Sequence, residues 1–123
     1  MFIKAGVPEH KVVALHNGYD PAEFEPRLTK EEARDLLGIP KDRFLALYTG
    51  HMTPMKGADI FVDMAKYAPD VDFLLIGGPT SEDVERIRNY AIEVGVSNVT
   101  VSGWINPHRV PPYLYAADVL MIP

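Results

Sequence analysis

The sequence predicts an α/β domain, three-layered and Rossmann-like, with a parallel sheet between two layers of helices. Three observations predict it. From Phe44 onward, four short apolar runs of strand type alternate with amphipathic helical patterns, in the order β-α-β-α-β-α-β. The first two runs are almost continuously apolar, the mark of strands covered on both faces. The connections are short, so each helix serves as a crossover between parallel neighbours, and such crossovers are right-handed. The strand order expected of this unit is 3-2-1-4. Its ligands are expected at the carboxyl ends of the strands, where the order reverses between strands one and four.

Taken in order, residues 1–10 carry little pattern. Lys11–Leu15 (KVVAL) reads as a short strand that ends in the turn-rich corner His16-Asn17-Gly18-Tyr19-Asp20-Pro21. Ala22–Leu28, with Pro26 inside it, reads as an extended, solvated connection. Thr29 then caps a helix, and Glu32 three residues on completes a capping box. Ala33, Leu36 and Leu37 form its apolar stripe, and Gly38 with Pro40 ends it. The first buried strand is Phe44–Thr49, broken at Gly50. After the irregular stretch His51–Met55, a helix runs from about Gly57 to Ala68, with Ala58, Phe61, Val62 and Ala65 at helical spacing, until Pro69 stops it.

Asp72–Ile76 is the second strand, closed by Gly77-Gly78-Pro79. Thr80 or Ser81 caps the next helix, which shows Val84, Ile87, Ala91 and Val94 on one face and ends at Gly95. Asn98–Ser102 is the third strand, followed by Gly103-Trp104-Ile105-Asn106-Pro107. A short helix starts near Pro111 or Pro112, since proline suits the first helical position. Asp118–Ile122 is the fourth strand.

Composition bounds the function. The 123 residues are 47% hydrophobic and 24% charged, ordinary for a globular domain with a real core. The net charge of −5 argues against broad attraction to nucleic acid, so an anionic ligand must be held by local geometry. No cysteine is present, which excludes disulfides and thiolate metal sites and suits a reducing cytoplasm. No apolar run approaches the about 20 residues that span a bilayer. No pair of histidines or carboxylates has metal-ligand spacing, and no dinucleotide fingerprint, Walker loop or nucleophile elbow occurs.

The chemistry is expected in Phe44–Gly57 (FLALYTGHMTPMKG). A strand, a tight loop and a helix start make a seat for an anion, because the free N–H groups of the first helical turn and the helix dipole both favour negative charge. Lys56 at the mouth of that helix adds a full positive charge. A cation there is mildly unfavourable on dipole grounds, which argues for an anion contact over a plain surface lysine. His51 is either a ligand or a solvated loop residue. Gly77-Gly78 allows close backbone approach or simply ends a strand. Trp104 either packs in the core or lines a base pocket.

Asn17-Gly18-Tyr19-Asp20, Gly50 with Lys56-Gly57, Leu74–Pro79, Val101–Ile105, Tyr115–Asp118 and Ile122-Pro123 follow one another in a recognisable order and spacing. Together they resemble the retaining glycosyltransferases of the GT-B fold, family 4, the glycosyltransferase group 1 set. Members have two Rossmann-like lobes with a cleft between them, and are hexosyltransferases in which the C-terminal lobe binds a nucleotide sugar. The resemblance implies that 1–40 is the interlobe connection, with a short strand and a capped helix. It implies that 41–123 is an incomplete donor-binding lobe, half of a GT-B fold cut short at its C-terminal end.

By the same resemblance, Lys56 contacts the donor diphosphate, with Gly50, Gly57 and Gly78 giving the backbone close approach. Trp104 and Ile105 lie against the base, and Asn17 and Gly18 face the interlobe cleft. Members carry an arginine after the first-strand glycine where this chain has His51, which offers fewer donors. The family's glutamate pair falls beyond Pro123, so this polypeptide alone is expected not to turn over. No metal and no cofactor is implied: the nucleotide sugar is substrate, and its departing diphosphate is stabilised electrostatically. The expected partners are that donor and a separate acceptor-binding lobe, with no nucleic acid. Self-association through the uncovered last strand is also expected. The expected location is the cytoplasm or the inner membrane surface. The alternatives are a non-catalytic Rossmann-like binding or assembly module and a GT-B nucleotide-sugar epimerase relative.

Overall fold

The structure, a computed structural model, describes residues 3–123. Its sheet has four parallel strands: β1 (Phe44–Gly50), β2 (Val71–Gly77), β3 (Val99–Gly103) and β4 (Val119–Leu120). Their order is β3-β2-β1-β4, as the sequence predicts. β1 and β2 pair in register from Phe44 opposite Val71 to Gly50 opposite Gly77, so both glycine breaks reach the same rim. Four helices flank the sheet: α1 (Lys30–Leu37), α2 (Ala58–Ala65), α3 (Ser81–Val94) and α4 (Pro111–Ala116).

Strand periodicity sorts the core into two layers, because successive side chains point to opposite faces. Ala46, Tyr48, Phe73 and Leu75 face α2 and α3, where they meet Phe61, Val62, Ala65 and Ile87. Leu45, Leu47, Leu74 and Ile76 face α1 and α4, where they meet Ala33 and Ala116. Both faces of β1 and β2 are therefore dry, which is why those runs contain no polar alternation.

α1 begins with the predicted capping box. The Thr29 hydroxyl accepts from the Glu32 amide (3.3 Å), and the Glu32 carboxylate accepts from the Thr29 amide (2.8 Å). The bonds that the Thr29 amide and then the Thr29 hydroxyl donate to the Glu32 carboxylate, each 2.8 Å, hold that carboxyl below its ordinary value. The stripe itself differs from expectation. Leu36 is exposed, and Arg34 is buried in its place. The guanidinium can be buried because its donors are met by carbonyls of Ala116, Pro40, Lys41 and Arg43 at 2.9–3.1 Å and by Asp118 at 2.6 Å.

Further departures have local causes. Lys11–Leu15 is not a strand: Glu9–Lys11 forms a single 3-10 turn, and the residues after it pair with no strand among those described. An extended run needs a neighbour for its backbone groups, and Val13 and Leu15 stand exposed without one. Pro21–Phe24 is a 3-10 turn inside the supposed extended connection. Asp20 caps it by accepting from the Ala22 amide (2.9 Å), and Pro21 takes the first position. α2 is shorter than predicted at both ends, because Pro54–Lys56 forms a separate turn before it and Gly57, at φ 73°, breaks the two apart. β4 pairs over two residues only, opposite Ala46 and Leu47.

Two features had no sequence signal. Ser102 is an extra residue in β3, where pairing jumps from Leu75–Val101 to Ile76–Gly103, and its hydroxyl lies 3.1 Å from the Leu75 carbonyl. Such bulges bend a strand and re-aim the side chains beyond the bend, here that of Trp104. Asn98 ties the end of α2 to the start of β2, its amide nitrogen 3.3, 3.0 and 2.8 Å from the carbonyls of Ala65, Ala68 and Val71.

Candidate functional site

The rim at the carboxyl ends of the strands holds a cavity of about 400 Å³. Thr49, Gly50 and His51 leave β1 along one wall, and Ile76–Pro79 leave β2 beside them. Trp104 and Ile105, delivered by the β3 bulge, and Pro107, Val110, Pro111 and Leu114 on the approach to α4 close the opposite side. Glu23 and Phe24 overhang it from the 3-10 turn, which is tied down by the Tyr115 hydroxyl donating to the Phe24 carbonyl (2.8 Å).

Local sequence explains each wall. Glycine ends β1 and β2 because the chain turns there through φ values of 152° and 132°, and Gly78 follows at 82°. A Cβ on Gly78 would press on Val84 and on the sulfur of Met52, which is wholly buried beneath it. Asn106 caps the turn after Ile105 by accepting from the His108 amide (3.1 Å). Trp104 is two-thirds exposed, so it belongs to the wall and not to the core.

The loop after β1 is strapped from within. Tyr48, itself buried, donates its hydroxyl to the His51 carbonyl (2.6 Å), with the Lys56 carbonyl at 3.1 Å sharing the same hydrogen. Burial, helped by the charge of Asp59, pushes the Tyr48 phenol above its ordinary value. Arg86 of α3 donates to the Met52 carbonyl and pairs with Asp59 of α2 at 2.6 Å.

Of the residues singled out in the sequence, Gly50, His51, Gly78, Trp104 and Ile105 line this cavity. Lys56 and Gly57 do not. Lys56 is exposed on the turn before α2, and Gly57 backs against Pro123. Asn17 and Gly18 are exposed on the preceding segment, also outside the lining. Sequence reading missed Glu23 and Phe24, although Asp20-Pro21 is a helix-start signal that could have found them. No lysine or arginine among the described residues lines the cavity, and no group of three or more potential metal ligands occurs among them. No helix described is long and apolar enough to cross a membrane.

Such a cavity, apolar on one side and glycine-edged on the other, can accept a flat ring against Trp104 and a polar tail along the β1 and β2 ends. Known proteins carry the same frame. The chain is 26% identical over 117 residues to the D-inositol 3-phosphate glycosyltransferase of Mycobacteroides abscessus, covering 92% of this chain and 26% of that protein. It thus spans about a quarter of that relative's length. Among solved structures, the sucrose-phosphate synthase of Thermosynechococcus elongatus superposes with a TM-score of 0.71 at 28% identity, over 85% of this chain and 27% of that one. The Anabaena protein HepE, solved with UDP-glucose, shares the fold at a TM-score of 0.72 and 22% identity, over 97% of this chain and 34% of that one. The family model "Glycosyl transferases group 1" matches residues 29–123, and the chain belongs to that family.

Proposed function

We propose that this chain is the donor-binding lobe of a retaining, family-4-like GT-B glycosyltransferase that holds a nucleoside diphosphate sugar in the cavity beside Trp104. Residues 1–40 would be the interlobe connection, with α1 already seated on the lobe, and Asn17 and Gly18 would face the cleft. The acceptor would be bound by a separate lobe, and the cytoplasm or the inner membrane surface would be the place of work. The observation that carries the reading is the composition of the cavity: Gly50, His51 and Gly78 on one side, Trp104 and Ile105 on the other, at the carboxyl ends of parallel strands. The base would rest on Trp104 and Ile105. The diphosphate would lie along the β1 and β2 ends beside backbone amides and His51, with Lys56, outside the described lining, reaching toward it from the turn before α2. As the glycosidic bond breaks, those donors would stabilise charge gathering on the leaving diphosphate.

A non-catalytic binding module is the second reading. It is favoured by the lack of any lysine or arginine in the described lining, which leaves a diphosphate with weaker electrostatic support. The family match favours transfer over an epimerase relative.

Calorimetric titration of the chain with UDP, GDP and ADP tests the proposal. UDP comes first because the Anabaena neighbour holds UDP-glucose. Binding of one nucleotide, weakened about tenfold in Lys56→Ala, is expected for the loss of one charge-assisted contact. Binding of none removes the donor-lobe reading, and unchanged binding by the variant removes Lys56 from the site.

A further inference from the structure

Within that reading of the cavity, we propose that Tyr48 and Arg86 are positioning residues for the donor's diphosphate: they fix the loop Gly50–Gly57 from beneath and so set how His51, on the cavity wall, meets the ligand. Neither residue lines the cavity. Both reach the loop through carbonyl oxygens. Tyr48 holds those of His51 and Lys56 and thereby spans the loop. Arg86 holds that of Met52.

A trans peptide sets its N–H opposite its C=O. The Met52 carbonyl is turned toward Arg86, so the Thr53 amide points the other way. It donates to no protein acceptor among the described residues, and Thr53 is only partly buried. The Tyr48 bond likewise fixes the peptide plane between His51 and Met52, at the point where His51 forms the cavity wall. Three further contacts make the arrangement stiff. The Met52 side chain is wholly buried against Gly78, the Gly78 amide donates to the Gly50 carbonyl (3.3 Å), and Arg86 is itself held by Asp59. The loop is thus bonded to β1, α3 and the β2 rim, although its own sequence, HMTPMK, would suit an unconstrained turn. Ordering that loop before the ligand arrives removes an entropic cost from binding.

The consequence differs from that of a merely structural contact. Loosening the loop should weaken the diphosphate contact and leave the base contact alone. Tyr48→Phe keeps the packed ring and removes only the hydroxyl. Arg86→Met removes the fork, and Arg86→Lys keeps the charge opposite Asp59 without it. The full chain and each variant are titrated with UDP and, separately, with uridine. In parallel, amide hydrogen exchange is followed at Lys56 and Gly57, whose amides close the turn before α2 at 2.9 and 3.3 Å.

Tyr48→Phe and Arg86→Met are each expected to weaken UDP about tenfold, as expected for losing one well-placed hydrogen bond. Uridine should be unaffected, and exchange at Lys56 and Gly57 should quicken while exchange in β2 stays unchanged. Arg86→Lys should recover part of the loss. Equal weakening of UDP and uridine, or unchanged exchange at the loop, overturns the proposal. If the wild-type chain binds none of UDP, GDP and ADP, the nucleotide reading falls and the diphosphate role with it. The exchange result then still decides whether the two residues fix the loop.

Discussion

Gly77 lies so close to Gly50 that a Cβ on Gly77 would overlap the Gly50 carbonyl oxygen. The obstacle is backbone, which cannot swing aside as a side chain can, and Gly77 also sits at φ 132°, where L-residues are strained. Gly77→Ala is therefore expected to lose about 3 kcal/mol or more, combining overpacking with backbone strain. Chemical denaturation measures it. A loss below about 1 kcal/mol would mean the rim can part without penalty.

Arg34 joins α1 to the ends of three other segments through four carbonyls and Asp118. Arg34→Met keeps much of the volume but leaves the four carbonyls without their donor, while Asp118 keeps Lys30 and the Leu45 amide. A loss of about 3 kcal/mol is expected from the buried acceptors left unsatisfied. The measurement is again the unfolding free energy, with Lys41→Met as the control. Lys41 pairs with Asp35 at an exposed site, where solvent screening should leave a far smaller effect.

Asp118 carries a pH signature. Burial alone would raise its carboxyl, but the hydrogen bonds from Lys30 and the Leu45 amide and the charges of Arg34 and Lys30 outweigh it, and hold it below the ordinary value. A depressed folded-state value contributes stability that is complete above the unfolded value of about 3.9 and is lost as pH falls through the folded one. The difference in Tm between the wild type and Asp118→Asn should hold constant from about pH 7 to pH 5 and shrink only below about pH 4. A difference that already narrows near pH 6 would show the carboxyl to be raised.

Trp104 is two-thirds exposed on the cavity wall. Trp104→Ala should change stability by no more than about 0.5 kcal/mol, the usual range for a surface site. It should weaken UDP and uridine alike, by about tenfold, through lost stacking. Paired titration and thermal melts separate the two effects. A large drop in Tm with unchanged binding would return Trp104 to a packing role.

The sheet was legible from Phe44 on because β1 and β2 are dry on both faces and the glycine and proline stops after the strands are strong local signals. The Thr29–Glu32 cap was legible for the same reason: its bonds are between neighbours in sequence. What stayed hidden depends on partners distant in the chain. Lys11–Leu15 has the composition of a strand and no neighbour to pair with. Arg34 carries no mark in the sequence of the carbonyls and carboxylate that residues 40–43 and 116–118 bring around it. Gly50, His51, Gly78 and Trp104 could be singled out in sequence because they follow directly on strand ends, although whether Trp104 faced the core or the cavity could not be read there. Tyr48 and Arg86 could not be singled out, since a strand tyrosine and a helix arginine show nothing of the carbonyls they hold.

The Arg34–Asp118 rivet sits at the amino-terminal edge of the sheet, beside Leu45. The cavity lies at the other edge, roughly 20 Å away at ~3.3 Å per strand residue. The side chains that clasp Asp118 and those that wall the cavity are different sets. Replacements at exposed wall positions such as His51 or Trp104 leave that clasp whole, whereas the glycines between the two strand ends answer to both demands.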